Sequence, residues 1–511
     1  MGERRRQEAA PGAASRSAPG SYARRQPEKT TLHKVLRENL ETFLAQVRAG
    51  DPAGHGLPRH VEDEFRDYLK CGRLSEGFTL LKCSRCGEET VVPFSCKTKT
   101  FCPSCLTRRM HATAADLVGR VLPEAPYRHW VLALPIELRF HVARDESLLC
   151  ALRAIFVRSV RSWLRRKARA LGVPDALTGA VVFTQRFSSR LLLYPHFHAV
   201  FPDGVFALDA AGKLVFHSLR PTDDDVAMIV ARIARKASKL LSRLSLDSVV
   251  PDTLDLVRAH AVQGELAIKI PPADLTRGRL LASAGGFSLQ AARHLHEKDR
   301  AGLEFLVRYN LRPPLALSRL SELPSGRVLL MFKRPLADGT AALELEPLAL
   351  LRRLASLVPP PGSHDTAYFG VFAAHSADRR RFVRAKRVDP EECRGHAGLD
   401  DHEEALSTIP AGVDPNLEAA AEVPPERYIR WADLLRKVYA FDVLACPCGG
   451  RRKVVDLVTQ PAEIRDTLDR LGLKSERLEP SKARPPPQEE MFDPRRLCDG
   501  VDPPAPDYAT T

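Results

Sequence analysis

Nowhere in the chain do about 18 apolar residues run uninterrupted, so no segment reads as a membrane-spanning helix. The N-terminus, Met1-Gly2-Glu3-Arg4-Arg5-Arg6, is followed by no apolar core of the kind a secretory leader carries. A cytosolic location is therefore expected, where thiols stay reduced. No unit of about 20 to 50 residues repeats, which leaves out a repeat architecture. Acids are in short supply: 63 Asp plus Glu face 77 Lys plus Arg, a net charge of +14. Such a surplus points to an anionic partner, nucleic acid before membrane, because Lys and Arg displace the counterions of phosphates. From Leu148 to Pro174 there is no acid at all. Nothing in the pattern indicates a small-molecule substrate, and nothing sets the oligomeric state.

Cysteine is present and clustered, with six of the 11 lying between Cys71 and Cys105. In a reducing compartment this argues for metal rather than disulfides. Cys83-Ser84-Arg85-Cys86 and Cys102-Pro103-Ser104-Cys105 are separated by fifteen residues, the spacing of a closed four-thiolate zinc site. Cys83, Cys86, Cys102 and Cys105 are the expected ligands. Cys71 and Cys96 are left over; either could replace one of the four, or with a histidine such as His60 they could build part of a second site. Cys446 and Cys448 supply only two ligands and are expected to form a turn. Lys97, Lys99, Arg108 and Arg109 make the module a candidate DNA-docking element.

At 511 residues the chain exceeds what one core organises, about 250 to 300 residues. We expect a disordered basic arm over 1–30, a zinc-binding DNA-docking module over 31–115 and a catalytic domain over 116–325. An accessory β-rich segment follows over 326–395, then a linker over 396–425, a C-terminal module over 426–474 and a disordered tail over 475–511. Within the third piece, strands are expected over His129 to Leu134, Ala180 to Arg186 and Arg190 to Phe201, the last two as a hairpin, with another near Lys213 to His217. Helices are expected from about Ser147 to Leu171, Asp223 to Ser245 and Lys298 to Leu311. The first stacks Leu149, Leu152, Phe156, Val160 and Trp163 on one stripe, with Arg153, Arg158, Arg161, Arg165 and Arg169 toward the other side. Charged helix faces are most often simply solvated; one-sided sign makes a phosphate-tracking face the alternative. The order of elements predicts an α+β fold, an antiparallel sheet with helices on one face.

The candidate chemistry lies on the strand Tyr194-Pro195-His196-Phe197-His198. Side chains alternate along a strand, so His196 and His198 emerge on one face and can grip one metal ion. His294-Leu295-His296 shows the same pattern in a polar, charged context and reads as solvated or DNA-facing. In Phe305 to Pro314, helical spacing puts Phe305 and Tyr309 on one face with Arg308 and Arg312 beside them, and Pro313-Pro314 ends the helix. A tyrosine flanked by arginines can meet a phosphodiester and form a covalent phosphotyrosine, although most tyrosines only pack.

Several motifs occur in order: Cys83-x-x-Cys86, Phe94-Ser95-Cys96-Lys97, Cys102-Pro103-Ser104-Cys105, Gln185-Arg186-Phe187, Pro195-His196-Phe197-His198 and Arg308-Tyr309 to Arg312-Pro313-Pro314-Leu315-Ala316. Asp338-Gly339-Thr340, Leu357 to Pro361 and Trp431 to Gly450 follow. Over about residues 55 to 455 the chain resembles the bacterial rolling-circle insertion-sequence transposases of the IS91 type, tyrosine HUH endonucleases with an N-terminal zinc-binding domain. The resemblance implies an RRM-like catalytic sheet with the histidine pair on a central strand. It implies Mg²⁺ or Mn²⁺ on His196 and His198 beside a structural Zn²⁺. Tyr309 would attack single-stranded DNA at transposon ends and target sites, with Arg186, Arg308 and Arg312 on the DNA, in the bacterial cytoplasm at the nucleoid. Two imidazoles leave a hard cation short of oxygen ligands. Gln185 is the candidate third ligand, although the hairpin offset is not expected to set it directly opposite His196; Glu304 is the alternative. Some relatives carry two tyrosines one helical turn apart. Here Phe305 takes the second place, and Tyr194 and Tyr368 read as structural. A plasmid replication initiator or relaxase of the same chemistry, or an inactive transposon-derived zinc protein, are the alternative functions.

Overall fold

The computed structural model describes residues 24–51, 53–244, 254–255, 257–258, 276–333, 335, 339–383, 435–436, 438, 442–474 and 478–484. Most of the expected basic arm, the linker 396–425, Trp431, Asp338 and the tail beyond 484 lie outside these residues.

The chain opens with α1 (Thr31–Ala49) and α2 (Arg59–Lys70), continues through the hairpin of β1 (Phe78–Cys83) and β2 (Glu89–Pro93), and enters α3 (Pro103–Asp116). Leu36, Leu40, Phe43, Phe65, Tyr68 and Phe101 bury their side chains together with Cys71, Cys102 and Cys105. The sulfurs thus belong to the core of this module.

Next come β3 (Tyr127–Ala133), α4 (Ile136–Arg144), α5 (Glu146–Ala170), β4 (Gly179–Phe187) and β5 (Leu193–Pro202). The hairpin of β6 (Gly204–Leu208) and β7 (Leu214–Ser218) precedes α6 (Asp223–Leu241). Then follow β8 (Thr276–Gly278), β9 (Leu281–Ala284), β10 (Phe287–Gln290), β11 (His294–Leu295) and α7 (Arg300–Asn310). Beyond them lie β12 (Leu320–Glu322), β13 (Val328–Met331), β14 (Ala342–Leu345), α8 (Pro347–Ser356), β15 (Thr366–Gly370), β16 (Arg452–Val458) and α9 (Pro461–Arg470).

An eight-stranded sheet runs in the order β15-β4-β5-β3-β10-β9-β8, with β11 pairing β3. Each of its pairings is antiparallel. Alternation divides the central strands cleanly. Trp130, Leu132, Val182, Phe197, Ala199 and Phe201 face α5 and α6, burying against Leu149, Leu152, Phe156, Val160 and Trp163 as the helical stripe predicts. Asp145 caps α5 by accepting from the N–H groups of Ser147 and Leu148, and Thr222 with Asp225 closes a capping box on α6. Arg153, read as an outer-face residue, is buried instead and donates to the His364 carbonyl at 3.0 Å.

The expectation of helices on one face is corrected. Val181, Phe183 and Val200 on the other face pack against Leu303, Leu306 and Val307 of α7 and against Ala114 at the end of α3. The physical reason is that the central strands β3, β4 and β5 are buried along both faces, so both faces need a cover. The α+β class stands, as a sandwich of helices around an antiparallel sheet.

Candidate active site

The register of β5 between β3 and β4 builds the site. His198 lies opposite Val131 and Phe183, and His196 opposite Ala133 and Gln185. Both imidazoles therefore point to the α7 face, and both are buried. Their Nε2 atoms are 3.1 Å apart. His196 Nδ1 is 2.7 Å from the Tyr194 carbonyl oxygen, which can only accept, so the ring proton is on Nδ1 and the Nε2 lone pair is left available.

A third imidazole was missed by sequence reading. His129 on β3, one diagonal step from His198, stacks on it with ring centroids 5.1 Å apart and an interplanar angle of 11°. Its Nε2 is 3.0 Å from His198 Nδ1. The signal was present in the alternation of the His129 to Leu134 strand, but only the β3/β5 register brings the residue to the pair. Burial lowers the pKa of all three imidazoles: to about 4 for His196, to about 3 for His129 and well below 6.5 for His198. Neutral imidazoles are the ligand form.

Tyr309 approaches from α7. Its ring meets His198 edge to face, centroids 6.0 Å apart, and the Arg312 guanidinium lies over it at 4.3 Å, with the Lys333 ammonium at 5.8 Å. Asp299 caps the start of α7 through the Gly302 N–H at 2.8 Å. Its end is held by Gln185, whose Nε2 donates to the Tyr309 carbonyl at 3.2 Å and the Asn310 carbonyl at 2.9 Å. Those carbonyls are among the last four of the helix, which lack intrahelical donors. With its amide nitrogen so committed, Gln185 keeps a buried Oε1 without a hydrogen-bond partner. Gln185 pairs directly with His196, not offset from it, because an irregularity between Gln185 and Phe187 shifts the hairpin register. Two imidazole lone pairs and an orphaned amide oxygen suit a hard divalent cation.

The other expected site residues divide. Glu304 faces Arg308 at 4.0 Å. Arg186 is mostly buried, bound to Glu146 at 3.0 Å and Asp365 at 3.5 Å, and lines a cavity together with Lys99, Arg109 and Arg312. Arg108 donates to Ser95 Oγ at 2.6 Å and Arg109 to the Lys97 carbonyl at 2.8 Å, tying α3 to its preceding loop. Lys97, Lys99 and Arg109 are exposed. His294 is half-buried against Asp203 at 3.3 Å, and His296 is exposed. Phe305, one turn before Tyr309, is 55 % exposed, with the Arg293 guanidinium 5.8 Å from its ring. Tyr194 lies under Arg139 at 4.0 Å, and Tyr368 on β15 is half-buried against the core of the α7 face.

The expected zinc set is also corrected. Cys83, Cys86, Cys102 and Cys105 do not share a site; Cys102 and Cys105 join Cys71 and Cys96, while Cys83 and Cys86 join Cys446 and Cys448. In the first group Cys71 Sγ is 3.7 Å from both Cys102 and Cys105, and Cys96 is 3.5 Å from Cys105. Tetrahedral zinc with bonds of about 2.3 Å requires sulfurs about 3.8 Å apart, so the donor set fits. His60 belongs to neither group.

Residues 35–134 match the transposase zinc-binding domain of the IS91 type, and residues 179–380 match a family of transposases, Y2_Tnp. Searches among curated proteins and among solved structures give no match. The first match contains Cys71 to Cys105, and the second contains Gln185, the histidine pair and Tyr309. Among the described residues no helix is long and apolar enough to cross a membrane.

Proposed function

This chain belongs to the IS91-type transposases with an N-terminal zinc-binding domain, and on that premise we propose that it cuts and rejoins single-stranded DNA through a covalent 5′-phosphotyrosine on Tyr309. The observation that carries this reading is the meeting of Tyr309 with the histidine pair: ring against ring at 6.0 Å, with Gln185 bonded to the tyrosine's own carbonyl and paired in register with His196.

Each residue has a part. The Tyr309 oxygen bonds to the scissile phosphorus, the bond to the 3′ oxygen breaks, and the phenolic proton is released as a 3′-OH forms. A 3′-OH on another strand reverses the exchange and restores the tyrosine. Arg312, stacked on the ring, holds a phosphate oxygen beside the nucleophile, and Lys333 adds charge on the same side. His196, His198 and the Oε1 of Gln185 would hold Mg²⁺ or Mn²⁺, which when bound polarises the phosphate and offsets the charge that develops on it. His129 fixes the ring of His198, and the Tyr194 carbonyl fixes that of His196. The partner is single-stranded DNA from element ends and targets.

The test is to incubate the protein and its Tyr309→Phe variant with Mn²⁺ and labelled single-stranded DNA from the flanks of its gene. A denaturation-resistant adduct with the unchanged chain and none with Tyr309→Phe is expected. An adduct that survives the substitution would assign the nucleophile elsewhere.

A further inference from the structure

Cys446 and Cys448 lie outside both segments that match transposase families. Yet Cys448 Sγ is 3.6 Å from Cys83, 365 residues earlier, and Cys446 Sγ is 3.6 Å from Cys86. We propose that Cys83, Cys86, Cys446 and Cys448 form a second structural zinc site, a clasp that fastens the C-terminal strand and helix to the N-terminal module.

Two turns of the same design meet at this point. In the first, Cys83 N–H donates to the Glu88 carbonyl at 2.9 Å and Gly87 N–H to the Cys83 carbonyl at 3.0 Å. In the second, Cys446 N–H donates to the Gly450 carbonyl at 3.0 Å and Gly449 N–H to the Cys446 carbonyl at 2.9 Å. Gly87 at φ +74° and Gly449 at φ +80° supply the left-handed step that each turn needs. Each turn also aims a backbone N–H at a sulfur: Arg85 at Cys83 Sγ and Gly450 at Cys448 Sγ, both at 3.4 Å. Such bonds favour the thiolate, the form that binds metal.

The two turns are fitted to each other. Ser84 N–H and Oγ both donate to the Arg451 carbonyl at 3.0 Å, and Arg85 donates to the Cys448 carbonyl at 2.9 Å. A Cβ at Gly450 would lie 2.8 Å from Cys83 Sγ and 2.7 Å from Arg85 Cβ, so only glycine lets the turns close. Four sulfur ligands select zinc over a hard cation, and the Glu88 carboxylate, which accepts from Cys446 Sγ at 3.0 Å, can take up the proton that the thiol loses on binding metal.

The clasp has a load to hold. β16 adds to β1 in antiparallel register from Phe78↔Val458 to Cys83↔Arg452, and α9 covers the hairpin. The core beneath is small, formed by Leu74, Phe78, Leu80, Val91, Val458, Ile464 and Leu468. Val454, Val455 and Leu457 of the same strand are 59 %, 56 % and 48 % exposed. So little burial does not by itself hold a segment more than 360 residues away in sequence, and small modules of this kind depend on a metal.

The experiment uses the full chain purified under reducing conditions, with zinc counted by mass spectrometry and backbone protection by hydrogen exchange. Two zinc ions per chain are expected. The Cys446→Ser/Cys448→Ser variant should keep one and lose protection over Arg452–Val458 while retaining it over Pro103–Asp116. One zinc in the unchanged chain, two in the variant, iron in place of zinc, or two disulfides in place of four thiols would each overturn the proposal. Should the variant fail to fold, cobalt titration of the metal-stripped unchanged chain decides. Thiolate-to-cobalt absorption rising to two equivalents supports the clasp, and saturation at one refutes it.

Discussion

At the scale of single residues, the histidine pair poses an electrostatic problem. The Tyr194 carbonyl keeps the proton of His196 on Nδ1, so its Nε2 presents a lone pair to His198 Nε2 at 3.1 Å. If His129 accepts from His198 Nδ1, two lone pairs confront each other in a buried place, and a cation between them resolves the conflict. Substituting His196→Ala removes one of these donors without touching the arginines. The expected outcome is loss of nicking by a factor on the order of 10² to 10³ and loss of Mn²⁺ binding followed by electron paramagnetic resonance. Affinity for single-stranded DNA should stay within about twofold, because phosphate contacts supply most of it. Retained nicking in excess chelator would refute the role of the pair.

At the scale of elements, the site is a joint between a hairpin and a helix end. Gln185 lends its amide nitrogen to the last carbonyls of α7 and keeps a buried oxygen without a hydrogen-bond partner. Gln185→Met keeps the shape and removes both the helix cap and the proposed metal ligand. The Asn310 carbonyl left without its donor is expected to cost about 1 to 3 kcal/mol of stability, read as a lower urea midpoint, and nicking should fall further than the stability loss explains. Equal activity at a temperature where the variant is folded would reduce Gln185 to a helix cap. Much of this element-level picture is legible in the sequence. Alternation alone sends His196 and His198 to one face, and Pro313-Pro314 sets the end of the tyrosine helix near Tyr309. The direct pairing of Gln185 with His196 is not legible, because a single irregularity after Gln185 changes the register and no residue there announces it. The helix on the histidine face is hidden for a similar reason, since apolar strands do not say which neighbour covers them.

At the scale of the molecule, the zinc-binding module packs beside the sheet that carries the candidate site. A cavity of about 400 Å³ lies between them, lined by Lys99, Thr100 and Arg109 from the module and by Gln185, Arg312 and Asp365 from the catalytic sheet and its surroundings. Spacing along the chain could not reveal this. Two CxxC motifs fifteen residues apart look like one site, and only the fold parts them, giving Cys102 and Cys105 to the buried cluster and Cys83 and Cys86 to partners some 360 residues away. Thiolate partners depend on which loops meet, and loop meeting is a property of the whole chain. On the proposed function, the module's basic residues at the cavity should therefore act on the same strand as Tyr309. Arg109 is exposed, lines the cavity and holds the Lys97 carbonyl with one nitrogen. Arg109→Ala is expected to weaken binding of single-stranded DNA about fivefold and to flatten the dependence of log affinity on log salt by about 0.7, one phosphate contact. Zinc content should be unchanged, because Arg109 touches no sulfur. A salt slope that does not move, with weaker binding, would mean that Arg109 shapes the loop through Lys97. Unchanged binding would place the path of the strand away from the module.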